Sequence, residues 1–207
     1  MIADVTFWDR IAPKYAKSPI KNMQAYEATL ERVRAYVPKD ADVLEIGCGT
    51  GGTALKLAGS VGRYLGCDIS AGMIDIARTR KAEAGVQNVD FTVAPVVETQ
   101  FEPESFDAVL GFNILHLVPD LGAAVARVHQ LLKPGGLFIT KTPCLAQMGF
   151  YIRLILPVMQ VFGKAPYVAM LRAAEVEQAI TAAGFELVEE GYFDKGKVGR
   201  FLVARKL

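Results

Sequence analysis

The chain has 207 residues, a formal net charge of +1 and 52% hydrophobic residues. That length suits one α/β domain with a substantial core, and the near-neutral balance excludes a nucleic-acid binder held mainly by phosphate contacts. Three scattered cysteines, Cys48, Cys67 and Cys144, form neither a disulfide framework nor a zinc site and fit a reducing compartment.

The opening stretch MIADVTFWDRIAPKYAKSPI has no basic region followed by an apolar run, so no secretory signal is expected. No uninterrupted apolar run reaches the roughly 18 residues that a spanning helix needs. A soluble cytoplasmic protein is the expectation. Lys14, Lys17 and Lys21 near one end and Lys195, Lys197 and Arg200 near the other read as a solvated surface.

In chain order, the first 20 residues, with Pro13 and Pro19, predict a short helix and a loop. Lys21–Val37 predicts an amphipathic helix stopped by Pro38. ADVLEI is then a first strand, GGTALKLAGS a helix and GRYLGCDI a second strand. SAGMIDIARTRKAEAG is a helix with Ser70 as N-cap and Gly85 just past its end. VDFTVA is a third strand, followed by the irregular PVVETQFEPES. FDAVLGFN is a fourth strand, DLGAAVARVHQLL a helix opened by Asp120, and GGLFITK a fifth strand entered through the turn KPGG. Apolar strands alternating with helices predict a doubly wound, Rossmann-like, mostly parallel sheet covered on both faces.

Beyond Thr142 the character changes. The stretch 145–171 is very apolar and carries two prolines, and AAEVEQAITAAGFE is an ordinary helix. FELVEEGYF and KVGRFLVARKL, joined by the tight turn DKGK, predict an antiparallel hairpin at the sheet edge, giving seven strands in all.

Between the first strand and its helix, VLEIGCGTGG places four glycines in six positions. Glycine there lets a backbone turn sharply and lie against a ligand, at the carboxyl end of a parallel strand where ligands bind. The helix start behind it favours a negative group, although a tight strand-to-helix turn with no ligand uses glycine too. Asp68, twenty-one positions after Gly47, ends the second strand, where a carboxylate can accept both hydroxyls of a ribose. A surface Asp capping the next helix is the plainer alternative, but Ser70 is better placed for that. A nucleoside is indicated; dinucleotide folds share the geometry, so these residues alone leave its identity open.

The stretch VLEIGCGTGG, with Glu45 two positions before Gly47, resembles motif I of the class I S-adenosylmethionine-dependent methyltransferases. LGCDIS resembles their motif II, SFDAVLGFNILHLV their motif IV, and LLKPGGLFI the segment entering their fifth strand, so the resemblance runs from Tyr26 to Thr142. It implies S-adenosylmethionine as cofactor, S-adenosylhomocysteine as product, no metal, and a small-molecule acceptor. With no internal repeat and no low-complexity linker, a single domain over 1–207 is expected, with a helical cap at 1–40, a cofactor-binding core at 41–142, an apolar lid insertion at 143–172, and a helix and hairpin at 173–207.

Carried over by position, Glu45 organises the glycine loop and meets the amino group of the cofactor's methionine part. Gly47, Cys48, Gly49 and Gly51 lay the loop backbone against the cofactor. Asp68 accepts the ribose hydroxyls, Ile69 and Met73 pack on the adenine, and Asn113 lies where a backbone carbonyl meets the ammonium group. One departure stands out: relatives often carry an acidic residue after strand three, where this chain has Pro95. The adenine is then left to packing, to the backbone of Val96 or Val97, or to another group.

For the chemistry, His116 in FNILHLVPD is the candidate base, with packing of its loop as the alternative. Tyr15 is a candidate to close over the cofactor, with Trp8 and Phe7 either in the same cap or anchoring their helix. His129 reads as a surface or packing residue. NILH after strand four differs from the Asn/Asp-Pro-Pro-aromatic tetrapeptide of enzymes that methylate amide or base nitrogens. The apolar segment 148–162, with Met148 and Met159 and the nearby Met170, has three readings: core cover, lid over an apolar pocket, or contact with a membrane surface. The functional expectation is methyl transfer to a small apolar metabolite. The alternatives are a non-catalytic binding module of the same fold, a lipid or quinone methyltransferase at a membrane surface, and a dinucleotide-dependent oxidoreductase. Oligomeric state is left open.

Overall fold

The computed structural model describes residues 5–97, 101–147, 151–194 and 196–207, the side chains at 147 and 151–153 excepted. Met148 and Lys195, named above, lie outside them, as does the middle of the stretch 95–105. Among the described residues the strands are β1 Asp42–Ile46, β2 Arg63–Asp68, β3 Val89–Val93, β4 Phe106–Phe112, β5 Leu132–Pro143, β6 Phe185–Tyr192 and β7 Gly199–Lys206. The helices are α1 Val5–Lys17, α2 Met23–Tyr36, α3 Gly52–Leu57, α4 Ala71–Ala84, α5 Leu121–Leu131, α6 Tyr151–Val161 and α7 Ala173–Ala182.

The strands form one sheet in the order β3-β2-β1-β4-β5-β7-β6. The first five run parallel, and β7 is antiparallel to both neighbours. The predicted hairpin is therefore present, but its second strand turns inward and pairs with β5, which leaves β6 at the edge. The reason lies in the sequences: β7 is FLVA at its centre and buried on both faces, whereas β6 alternates with Glu186, Glu189 and Glu190 and suits an edge.

Neighbouring residues on each central strand enter opposite cores. Leu44, Val109, Phe138 and Leu202 pack with Val125, Val128, Val176 and Ile180 from α5 and α7. Val43, Leu110, Ile139 and Val203 pack with Leu30, Val33, Leu57 and Ile74 from α2, α3 and α4. Burial on both faces is why these strands read as continuous apolar runs.

Local signals set the helix ends. Asn22 Oδ1 accepts the Ala25 N–H at 2.9 Å and opens α2, and the chain before Pro38 turns extended at Val37 and closes it. Ser70 Oγ accepts the Met73 N–H at 3.1 Å to open α4, and Gly85, with φ +66°, ends it. Asp120 does the same for α5 through the Ala123 N–H at 2.9 Å.

Two boundaries differ from the sequence expectation. The first helix runs 13 residues, straight through Pro13, whose missing N–H leaves the Asp9 carbonyl without its intrahelical donor. The fifth strand starts at Leu132, before the KPGG turn: Phe106 pairs with Leu132 and Ala108 with Leu137, so the turn is an irregularity inside the strand, made by Gly135 at φ +75°.

Candidate functional site

The site lies at the C-terminal ends of β1, β2 and β4. From Ile46 the chain enters a loop in which Gly47, Gly49 and Gly51 have φ of +67°, +54° and +75°. The loop is fastened to β2: the Cys48 N–H donates to the Cys67 carbonyl at 2.9 Å, and the Gly49 N–H donates to Asp68 Oδ2 at 2.9 Å. The other Asp68 oxygen accepts the Ser70 N–H at 3.0 Å. Burial pushes the Asp68 carboxyl above the usual aspartate range, against these backbone donors.

The glycines differ in what they do. A Cβ on Gly49 would face the open side, its nearest neighbour the Tyr15 ring at 3.7 Å. A Cβ on Gly51 would strike the Phe91 ring at 2.6 Å and Ala77 at 3.0 Å. Gly51 opens α3 as its left-handed N-cap and packs inward. Its place is fixed by the core, and it lines neither of the cavities described next.

Two cavities flank the loop. One, of about 690 Å³, is walled by Asp68, Ile69 and Met73 on one side and by Pro95, Val96 and Val97 on the other. The second, of about 760 Å³, is walled by Glu45, Cys48, Tyr26, Thr53 and Lys141 among others. They share Tyr15, Gly47, Gly49, Phe112 and Asn113. The glycine loop and Tyr15 thus form the neck between them. Asn113 there holds φ +56°, unusual for a residue with a Cβ, and its N–H donates to the Lys141 carbonyl at 2.9 Å.

Glu45 is 3% exposed and accepts the Tyr64 hydroxyl at 2.9 Å. Burial pushes its carboxyl up to about 8, and the Tyr64 hydrogen bond works the other way. Burial also pushes the Cys48 thiol far up, so it stays a thiol.

The candidate residues do not all converge. Glu45, Gly47, Cys48, Gly49, Asp68, Ile69, Met73, Val96, Asn113 and Tyr15 line one or both cavities. His116 does not. It sits in the short 3-10 turn Leu115–Leu117, its Nδ1 is buried with no hydrogen-bond partner among the described residues, and burial lowers its imidazole to about 4. The neighbouring Ile114, Leu117 and Val118 take the cavity wall instead. His129 packs edge-to-face on Phe185 at 5.1 Å, beside Gly184.

Sequence reasoning missed the groups that hold α1 over the neck. Asp9 Oδ1 accepts the Ser70 hydroxyl at 2.6 Å and the Gly72 N–H at 3.0 Å, tying α1 to the start of α4. From α4, Arg80 donates to Thr50 Oγ1 and to the Ala16 carbonyl, both at 2.7 Å. Tyr15 lies between these fastenings, about half exposed, with its ring edge-to-face to Trp8 at 6.5 Å. The partners are separated by 30 to 64 residues in sequence, and no local signal marks them.

A match to the methyltransferase domain family spans residues 43–136, a stretch that contains Glu45, Asp68 and the glycine loop. The chain is also 33% identical over 193 residues to ubiquinone biosynthesis O-methyltransferase of Xanthomonas axonopodis pv. citri (strain 306), across 87% of this chain and 76% of that protein. It belongs to the S-adenosylmethionine-dependent methyltransferases. Solved structures of low identity share the fold of this methyltransferase. The [4+2]-cyclase SpnF superposes with a TM-score of 0.79 at 19% identity, over 98% of this chain and 94% of that one. Geranyl diphosphate C-methyltransferase from Streptomyces coelicolor A3(2), solved with S-adenosyl-L-homocysteine, gives 0.73 at 17%, over 87% and 76%. Among the described residues of the methyltransferase, no helix is long and apolar enough to cross a membrane.

Proposed function

We propose that this methyltransferase binds S-adenosylmethionine along the glycine loop and transfers its methyl group to a small, largely apolar acceptor held in the second cavity. One observation carries the reading: two carboxylates flank one glycine loop, Asp68 opening to the first cavity and Glu45 to the second. The residues present fit the two ends of such a cofactor. Asp68 is held by two backbone N–H groups with lone pairs left for ribose hydroxyls. Ile69, Met73 and Val96 offer an apolar slot for adenine, with Pro95 contributing shape and no donor. Glu45 would face the ammonium group, which restores the charge that burial suppresses.

Bound there, the cofactor supplies a methyl group on a positively charged sulfur. The chain's own part is then orientation, which contributes on the order of 7–11 kcal/mol in favourable cases. Tyr15 covers the neck where acceptor and methyl group would meet. Burial and the Asp68 charge raise its phenol above the ordinary value, so it donates a hydrogen bond at neutral pH and does not act as a base. His116 would pack its loop in this reading, since it faces neither cavity.

A second reading, an acceptor drawn from a membrane surface, is favoured by α6 and the residue after it. Leu154, Ile155, Val158, Val161 and Phe162 are all more than half exposed, so this part of the apolar segment completes no core. The test of the main reading is a calorimetric titration with S-adenosylhomocysteine, with NAD as control. Micromolar binding of the first alone is expected; binding of NAD in its place would overturn the assignment.

A further inference from the structure

Lys141 is a charge where the fold asks for an apolar side chain. It lies two residues beyond the buried Ile139 on β5, so the two share a face, and its register partners on β4 and β7 are Phe112 and Phe201. Its ammonium donates to the Ala25 carbonyl and to Thr29 Oγ1, both at 3.2 Å, and lies 5.8 Å from the Phe193 ring centre. Neither partner is charged, and among the described residues no carboxylate stands within 4 Å. Asp194, nearby, spends its two oxygens on the N–H groups of Val198 at 2.9 Å and Gly199 at 3.1 Å, closing the hairpin. Burial accordingly lowers the Lys141 amine from its ordinary value.

An ammonium has three N–H donors. Two are accounted for, and Lys141 lines the second cavity, whose wall also includes Glu45, Asn113 and Asp194. Asp194 lines the same cavity and its charge acts on the amine, but with both its oxygens engaged in the hairpin the ammonium has no direct anionic partner among the described residues, and a ligand anion would supply one.

We propose that Lys141 is the acceptor-selecting residue, and that the methyl acceptor carries an anionic oxygen, a carboxylate or phenolate, paired with its ammonium. This rests on the cofactor reading above and adds the acceptor's class. Among the described residues no histidine walls this cavity, so a phenolate held by the ammonium would arrive already deprotonated, whereas an acceptor held by its carboxylate still gives up a hydroxyl proton to solvent on methylation. The same ammonium chemistry suits the carboxylate of the cofactor's methionine part, and the experiment separates the two.

With S-adenosylhomocysteine saturating, calorimetry measures binding of 3,4-dihydroxybenzoate and of its methyl ester to the wild-type chain, Lys141→Met and Lys141→Arg. The acid is expected to bind at least tenfold more tightly than the ester. That ratio falls to about one in Lys141→Met and is partly kept in Lys141→Arg, while S-adenosylhomocysteine affinity changes less than twofold. Equal binding of acid and ester by the wild type, or binding of neither, overturns the proposal. A tenfold loss of S-adenosylhomocysteine affinity in Lys141→Met also overturns it, by giving the ammonium to the cofactor. If the wild type binds no S-adenosylhomocysteine, the cofactor reading fails instead. The acid-to-ester ratio on the chain alone then still decides the role of Lys141, and thermal melts of both variants separate misfolding from lost recognition.

Discussion

The Tyr64 hydroxyl donates to Glu45 Oε2 across the β1–β2 pair at 2.9 Å, with both side chains buried. Burial of this carboxyl, which lines the second cavity, prevails over the Tyr64 hydrogen bond and a weaker one from Thr53, raising Glu45 from 4.5 to about 8. At pH 7 the free protein therefore holds a proton on Glu45. An ammonium group arriving beside it favours the ionised form, so S-adenosylhomocysteine should release close to one proton per site at neutral pH. Titrations in buffers of different ionisation enthalpy read that number, and Glu45→Gln should bring it to zero.

The same shift sets a sign for stability. The folded state keeps a proton that the unfolded chain gives up above 4.5, so the contribution of Glu45 is complete below that pH and is lost as pH rises through about 8. Unfolding midpoints of the ligand-free protein should fall between pH 5 and pH 8 by more in the wild type than in Glu45→Gln. Parallel curves for the two would contradict the buried, protonated carboxyl.

Gly49 and Gly51 should respond differently to alanine. At Gly51 the left-handed φ costs about 1–2 kcal/mol and the clash with Phe91 about 1–3 more. A loss of several degrees in Tm is expected. At Gly49 the backbone cost is similar but the added methyl finds space, and it stands in the neck. There the larger effect should be on S-adenosylhomocysteine affinity. An equal Tm loss in the two variants would refute the division between a packing glycine and a site glycine.

Asp68→Asn retains an oxygen acceptor for the Gly49 or Ser70 N–H and removes the charge. Hydrogen bonds to a charged group are worth about 1.5–3 kcal/mol, so affinity for S-adenosylhomocysteine should drop roughly ten- to a hundredfold. Tm in the absence of ligand is the control, and unchanged affinity would remove Asp68 from the site.

The exposed apolar face of α6 bears on the membrane reading. If that reading holds, the protein floats with anionic phospholipid vesicles, and Val158→Asp combined with Phe162→Asp abolishes flotation. A wild-type chain that ignores vesicles eliminates the reading and leaves α6 as an exposed apolar helix.

Much of the architecture was legible because the strands are short, apolar and punctuated by caps. Ser70, Gly85 and Asp120 mark helix ends through interactions within three residues of themselves, and a local rule finds such ends. The order of the last two strands was not legible. Whether β7 or β6 takes the edge depends on which of them fits against β5, some 60 residues earlier, and a hairpin turn is compatible with either.

At the site, the sequence by itself marked the glycine loop and the carboxylates near the ends of β1 and β2, because backbone geometry at a strand end favours those residue types there; the family was legible only as a resemblance of four motifs in order. The tertiary structure alone decided the rest. It assigned Gly51 to packing against Phe91, turned His116 away from both cavities, set Tyr15 at the neck by tying α1 through Asp9 and Arg80, and carried Lys141 into the second cavity. Each depends on contacts between distant segments, whose geometry exists only after the two faces of the sheet have been covered.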